Sequence, residues 1–226
     1  REAYVARTAG GEGDGAQSTE RLPLRGKKKR FPYVTAAFVF GNVLVFLLCA
    51  FTGDLLYNRG VFHAEKIISG EGYRMLTSMF LHSDVHHLFG NMLLLFAAGD
   101  LVERYTGHIR LAVCYLVSGL AGNLAYLCYE LRIGESVESL GASGAVFGII
   151  GAMLVLTILH RGRLEGVTVG RMAVVLLYLF YSGLVGWNVN NYAHIGGFIA
   201  GVATELGFAL LTRGKRAVWG KERNGS

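Results

Sequence analysis

Six runs of mostly apolar residues alternate along the chain with short polar connections. Each run is close to the about 20 residues that a helix needs to cross a bilayer. They are Tyr33–Thr52, 82–101, 109–129, 141–160, 169–187 and 192–212. The pattern predicts an all-α, polytopic membrane protein, a six-transmembrane helix bundle. A large external loop, 53–81, separates spans one and two. It holds "FHAEKIISGEGYRMLTSMF", amphipathic in places, which predicts a re-entrant or interfacial structure. The second run is the least regular, because its first third is polar.

Cationic residues orient these spans. "RGKKKR" precedes span one, and Arg104 and Arg110 lie between spans two and three. Arg161, Arg163 and Arg171 lie between spans four and five, and Arg213, Lys215 and Arg216 follow span six. The alternate connections are poorer: Arg59, Lys66 and Arg74 in the long first loop, Arg132 in the third, none in the fifth. Cationic loops stay in the cytoplasm, so both termini are expected there. Residues 1–30 read as a flexible polar and basic cytoplasmic tail, 31–212 as the membrane domain, and 213–226 as a basic cytoplasmic tail. The chain begins at Arg1 rather than Met, as a trimmed product would. No signal peptide is expected, since the run after "RGKKKR" is long enough to span and has no clear cleavage site.

Composition agrees with this picture. The chain has 226 residues, 52% hydrophobic and 17% charged, against about 25% charged in soluble domains. The pI near 9.3 arises from clusters between apolar runs, so no nucleic-acid partner is implied. Cys49, Cys114 and Cys128 all lie in apolar runs. They read as small buried hydrophobes, not as a disulfide framework.

With the direction set, spans two, four and six enter the membrane from one side. His82, His86, His87 and Asn91 open span two, Ser143 opens span four, and His194 opens span six. At about 1.5 Å per residue, all lie within roughly 15 Å of the outer edge of the hydrocarbon. Polar groups from three distant segments thus share one depth, and intramembrane ionisable groups mark functional sites.

The stretch "SLGASGAVFGII" sets Ser143 between Gly141 and Gly144. Gly144, Gly148 and Ala152 recur every fourth residue, as do Ala193, Gly197 and Gly201. Small residues at this interval form flat faces that pack backbone to backbone. If the two faces meet, Ser143 and His194 come within hydrogen-bond reach, as a nucleophile and its base require. His87 and Asn91 share a helix face, and their N–H groups suit an oxyanion. Each feature alone has a plainer reading. Glycines four apart serve packing, a membrane serine bonds back to its own helix, and His87 with Asn91 would make an interhelical clamp. His82 and His86 suit a water-facing role as well as chemistry.

"GASG" at 141–144, "AHIGG" at 193–197 and "HSDVHHLFGN" at 82–91 together resemble the rhomboid intramembrane serine proteases of the bacterial six-span type. "VERYTG" at 102–107 and "YR" at 73–74 are similar to further family segments, with Tyr73 where the family has Trp. The resemblance covers roughly residues 30–212. It implies Ser143 as nucleophile and His194 as general base, with the oxyanion held by His87, Asn91 and the Ser143 backbone N–H. Gly141, Gly144, Phe147 and His82 are implied as supporting residues. Phe147 stands where the family often has a Tyr packed on the base, so the ring is kept and the hydroxyl lost. No Asp or Glu neighbours His194 in sequence, so a dyad is expected. The resemblance implies an endopeptidase that cleaves transmembrane protein substrates near the outer membrane face, in a bacterial plasma membrane, without cofactor or metal. The oligomeric state is left open.

Other functions stay open at this stage. A metal-dependent hydrolase would use His82, His86, His87 and His194, but the Glu of a His-Glu-x-x-His motif is missing. A non-catalytic chaperone or trafficking protein on the same fold would lack the nucleophile or the base. A transporter would carry inverted repeats, and none is evident.

Overall fold

The computed structural model of the chain describes residues 31–134, 137–185 and 190–223. The expected tail at 1–30, the end of span five at 186–187 and the last residues of the C-terminal tail lie outside the described residues. Helix α1 is Tyr33–Thr52. The first loop folds into three short helices, α2 (Asp54–Gly60), α3 (Ala64–Ile68) and α4 (Arg74–Thr77), and a 3-10 turn at Ser78–Phe80. Then come α5 (Val85–Thr106), α6 (His108–Ile133) and α7 (Ser143–Leu159). A hairpin of β1 (Arg163–Leu164) and β2 (Val167–Thr168) turns through Glu165 and Gly166, both at positive φ. It pairs Arg163 with Thr168 and Leu164 with Val167. Helices α8 (Val169–Val185) and α9 (Asn191–Arg223) complete the chain, and α9 continues past the expected end of span six.

Four helices are long and apolar enough to cross a membrane: Tyr33–Thr52, Val85–Thr106, His108–Ile133 and Asn191–Thr212. The apolar helices Ser143–Leu159 and Val169–Leu184 are shorter. The 17 residues of α7 span about 26 Å, less than the about 30 Å of a hydrocarbon core. Its neighbours make this length workable. α7 is the central helix, packed against α5, α6 and α9, and most of its side chains are buried by them. A helix sheathed by protein need not reach both lipid surfaces, so its first residue can lie below the ends of its neighbours.

The burial pattern is that of a membrane bundle. Large apolar side chains point outward, as at Phe40, Leu47, Leu177, Tyr178, Ile199 and Leu210. Polar ones are buried between helices, as at Asn42, Ser118, Glu130, Thr157 and Glu205. In lipid, outward polar groups lose water without compensation, whereas inward ones find partners. The expectation of buried cysteines holds only for Cys114; Cys49 is half-buried and Cys128 lies on the outer face of α6. An apolar run has an outer face as well as an inner one, and hydropathy does not separate them.

Glycine decides which helices touch. A Cβ on Gly197 would collide with the Gly144 carbonyl, and one on Gly201 with the Gly148 carbonyl. The two small-residue faces of α7 and α9 are therefore in backbone contact. α6 joins them, because a Cβ on Gly122 would stand 2.6 Å from the Ala193 carbonyl oxygen.

Candidate active site

Ser143 is the first residue of α7 and is half-buried. Its backbone N–H belongs to the first turn, where helix donors have no intrahelical partner. His194, in the first turn of α9, is 8% exposed. Between them, the Ala193 carbonyl oxygen would lie 3.4 Å from a Cβ on Gly144. The two first turns are thus neighbours. Ser143 Oγ and His194 make no direct hydrogen bond among the described residues. The His194 ring lies flat on Phe147, with centroids 4.2 Å apart and planes 8° apart. Phe147 is one turn below Ser143, so this stack fixes the tilt of the imidazole beside the hydroxyl. His194 Nδ1 is buried without a hydrogen-bond partner among the described residues.

Gly141 joins α5 to this corner. Its φ is +124°, and a Cβ there would stand 2.8 Å from His87 Nε2 and 3.8 Å from Asn91 Nδ2. Only glycine suits both the backbone angle and the space. Asn91 is 7% exposed, and its Nδ2 is buried with no acceptor among the described residues. His87 Nδ1 pairs with Ser83 Oγ at 3.2 Å, and the Ser83 hydroxyl donates to Asp84 Oδ2 at 2.8 Å. Ser83 has one proton to give, so His87 Nδ1 is the donor of its pair. In the neutral ring Nε2 is then an acceptor, and it gains a proton to donate only as imidazolium. Asn91 is the donor that needs no such change.

The structure therefore gathers Ser143, His194, His87, Asn91, Gly141, Gly144 and Phe147 around the first turn of α7. His82 is buried behind them, its ring edge-on to His87 with centroids 5.0 Å apart. It packs against His87 and is not in α5. His86 is exposed. Span two was expected to begin at residue 82, yet the helix begins at Val85. Asp84 is the reason: its carboxylate accepts the N–H groups of His86 and His87 at 2.9 Å each and caps α5. These bonds, the His87 N–H foremost, hold the Asp84 carboxyl below its ordinary range. The signal was present in "SDVHH", a capping residue ahead of an apolar run.

Asp100 pairs with Arg104, so neither Asp84 nor Asp100 supplies a third member to Ser143 and His194. No three His, Cys, Asp or Glu side chains among the described residues converge as a metal cage. The first loop is braced from within. Arg74, 4% exposed, donates to Glu71 Oε2 at 2.6 Å, to the Val61 carbonyl at 2.8 Å and to the Asn58 carbonyl at 3.0 Å. Tyr73 beside it is exposed. Asn123 Nδ2 from α6 donates to the Met75 carbonyl and to Ser78 Oγ, and Gly141 N–H donates to the Ser78 carbonyl at 2.9 Å. Asn123 was not singled out from sequence, because its partners lie in a distant loop.

Comparison with known proteins adds an independent line. A family model described as "Rhomboid domain" matches residues 69–211. RHOMBOID-like protein 4 of Arabidopsis thaliana is 34% identical over 229 residues, covering 86% of this chain and 56% of that protein. Rhomboid protease GluP of Bacillus subtilis (strain 168) is 31% identical over 191 residues, covering 82% of this chain and 36% of that protein. Inactive RHOMBOID-like protein 8 of Arabidopsis thaliana is 35% identical over 132 residues, covering 58% of this chain and 36% of that protein. The chain thus spans between about a third and just over half of the length of these relatives.

Proposed function

The chain belongs to the rhomboid family of helical membrane proteins, which includes intramembrane serine proteases, and on that premise we propose that it is an active endopeptidase using Ser143 and His194. One relative is named inactive, so family membership alone does not carry the activity. The observation that carries it is the convergence on the first turn of α7. An imidazole from α9, stacked on Phe147, and a buried amide of α5 beside Gly141 both come to the first turn of α7, which Ser143 opens.

In the reaction, His194 takes the Ser143 proton and Ser143 Oγ attacks the scissile carbonyl carbon. The oxyanion forms against Asn91 Nδ2, the Ser143 backbone N–H and, when protonated, His87 Nε2. The helix dipole at the start of α7 favours the same charge. The His194 imidazolium then gives its proton to the departing amine, and water hydrolyses the acyl-enzyme. The reading keeps to nucleophile and base, because no carboxylate among the described residues bonds His194 Nδ1.

We assign the six-span topology to α1, α5, α6, α7, α8 and α9, with 1–30 and 213–226 as cytoplasmic tails. The cationic residues at the far end from Ser143 support it. Cleavage would then take place on the outer side, on transmembrane segments that unwind easily, in a bacterial plasma membrane. The test is cleavage of a single-span model substrate in detergent. Ser143→Ala and His194→Ala are each expected to lose essentially all activity. Equal cleavage by the parent and both variants contradicts the assignment.

A further inference from the structure

The link between the Ser143 segment and the His194 helix runs through a residue outside the chemistry. Asn190 stands at the N-cap of α9. Its Oδ1 accepts the Ala193 N–H at 3.0 Å, and its carbonyl accepts the His194 N–H at 3.2 Å. Its Nδ2 donates to Ser139 Oγ at 2.9 Å, across 51 positions of sequence. Ser139 lies four residues before Ser143, and its own backbone is fixed. It exchanges two hydrogen bonds with Phe62, Phe62 N–H to the Ser139 carbonyl at 3.0 Å and Ser139 N–H to the Phe62 carbonyl at 3.3 Å. Between Ser139 and Ser143, Gly141 is tied to Ser78 and Ala142 is fully buried. Little slack remains between the bridge at Phe62 and the nucleophile.

The geometry points to Asn190 as a positioning residue for His194, acting through Ser139. The cap sets where the first turn of α9 begins, and the amide sets that turn against the strand entering α7. The packing of glycines alone leaves this sliding direction weakly specified, because flat small-residue faces offer no side-chain ridge to lock. A directional hydrogen bond at the end of the interface supplies the missing register. Ser143 and His194 are not themselves bonded in this state, so their closure depends on such a constraint. The inference rests on the protease reading above and deepens it.

The experiment measures kcat and KM of the full chain in detergent on a single-span substrate, with thermal unfolding alongside. Asn190→Ala is expected to lower kcat about 10-fold, and Ser139→Ala about fivefold, the weight of one or two hydrogen bonds in the reacting geometry. KM should stay within about twofold, since substrate binding is not touched. The double variant should be no worse than Asn190→Ala, because both remove one link. Asn190→Asp should recover to within about threefold, as its carboxylate accepts both the Ala193 N–H and the Ser139 hydroxyl. Parental kcat in Asn190→Ala, multiplicative losses in the double variant, or no recovery in Asn190→Asp overturns the inference. If Asn190→Ala does not fold, Ser139→Ala decides, because it keeps the cap. A parent that neither cleaves nor reacts with a fluorophosphonate overturns the protease reading itself. An active parent with an unaffected Ser139→Ala overturns this inference alone.

Discussion

Two buried polar clusters at opposite ends of the bundle differ in how fully their atoms are paired. At the Glu103 end, every carboxylate oxygen of the clip is used. Glu103, 3% exposed, accepts the Val34 N–H at 2.9 Å, the Thr35 N–H at 2.7 Å and the Thr35 hydroxyl at 2.6 Å, and also meets His108. It caps α1, whose own N-cap position, Pro32, offers no side-chain acceptor. Arg104 next to it holds Asp100 and Glu165, tying α5 to the β1–β2 hairpin. At the Ser143 end, Asn91 Nδ2 and His194 Nδ1 are buried without partners among the described residues. An unsatisfied buried donor costs about 1–3 kcal/mol. On the proposed reading, that cost is accepted at Asn91 because its donor must be free to meet a transient charge. Stability and chemistry fall, on the same reading, to opposite ends of the same helix, α5, which carries both Glu103 and Asn91.

This division can be broken from the middle outward. Gly197→Val at the α7–α9 contact should have the largest effect. Its side chain must enter the space of the Gly144 carbonyl, at a cost of at least about 4 kcal/mol. It should yield no cooperatively unfolding bundle by circular dichroism, and a parental melt would mean that the helices do not touch there. At the Ser143 end, His87→Ala with Asn91→Ala should lower kcat roughly 10²–10³-fold, as expected for oxyanion donors, with the unfolding midpoint little changed. At neutral pH Asn91→Ala alone should account for most of that loss. At the Glu103 end the pattern reverses. Glu103→Ala should cost about 2–3 kcal/mol of stability by orphaning two helix-terminal N–H groups. Folded molecules should keep near-parental kcat. A variant at either end that moves both quantities equally would erase the distinction.

Much of this was legible in the sequence, and the reasons are physical. Hydropathy located α1 at its observed residues and the starts of the other long helices to within three residues, but α5 and α9 run on past their expected ends, α9 to Arg223. The period of four in small residues identified the meeting faces of α7 and α9, because backbone contact requires the missing Cβ on both sides. The start of α5 was misplaced, since hydropathy reads apolar content while the helix begins where Asp84 caps it. The clip at Glu103 and the tie between Asn190 and Ser139 were not legible. Their partners are 68 and 51 positions away, and hydrogen bonds across such separations leave no periodic trace. Nor did an apolar run disclose that α7 is short and enclosed, which follows only from its neighbours.

The central claim is that His194 activates Ser143. Reaction of the full chain with a fluorophosphonate, followed by mapping of the adduct by mass spectrometry, tests it most directly. The account predicts a single adduct on Ser143, lost in Ser143→Ala and slowed by at least about 100-fold in His194→Ala. An adduct on another residue, or labelling of Ser143 at the parental rate without His194, would contradict it.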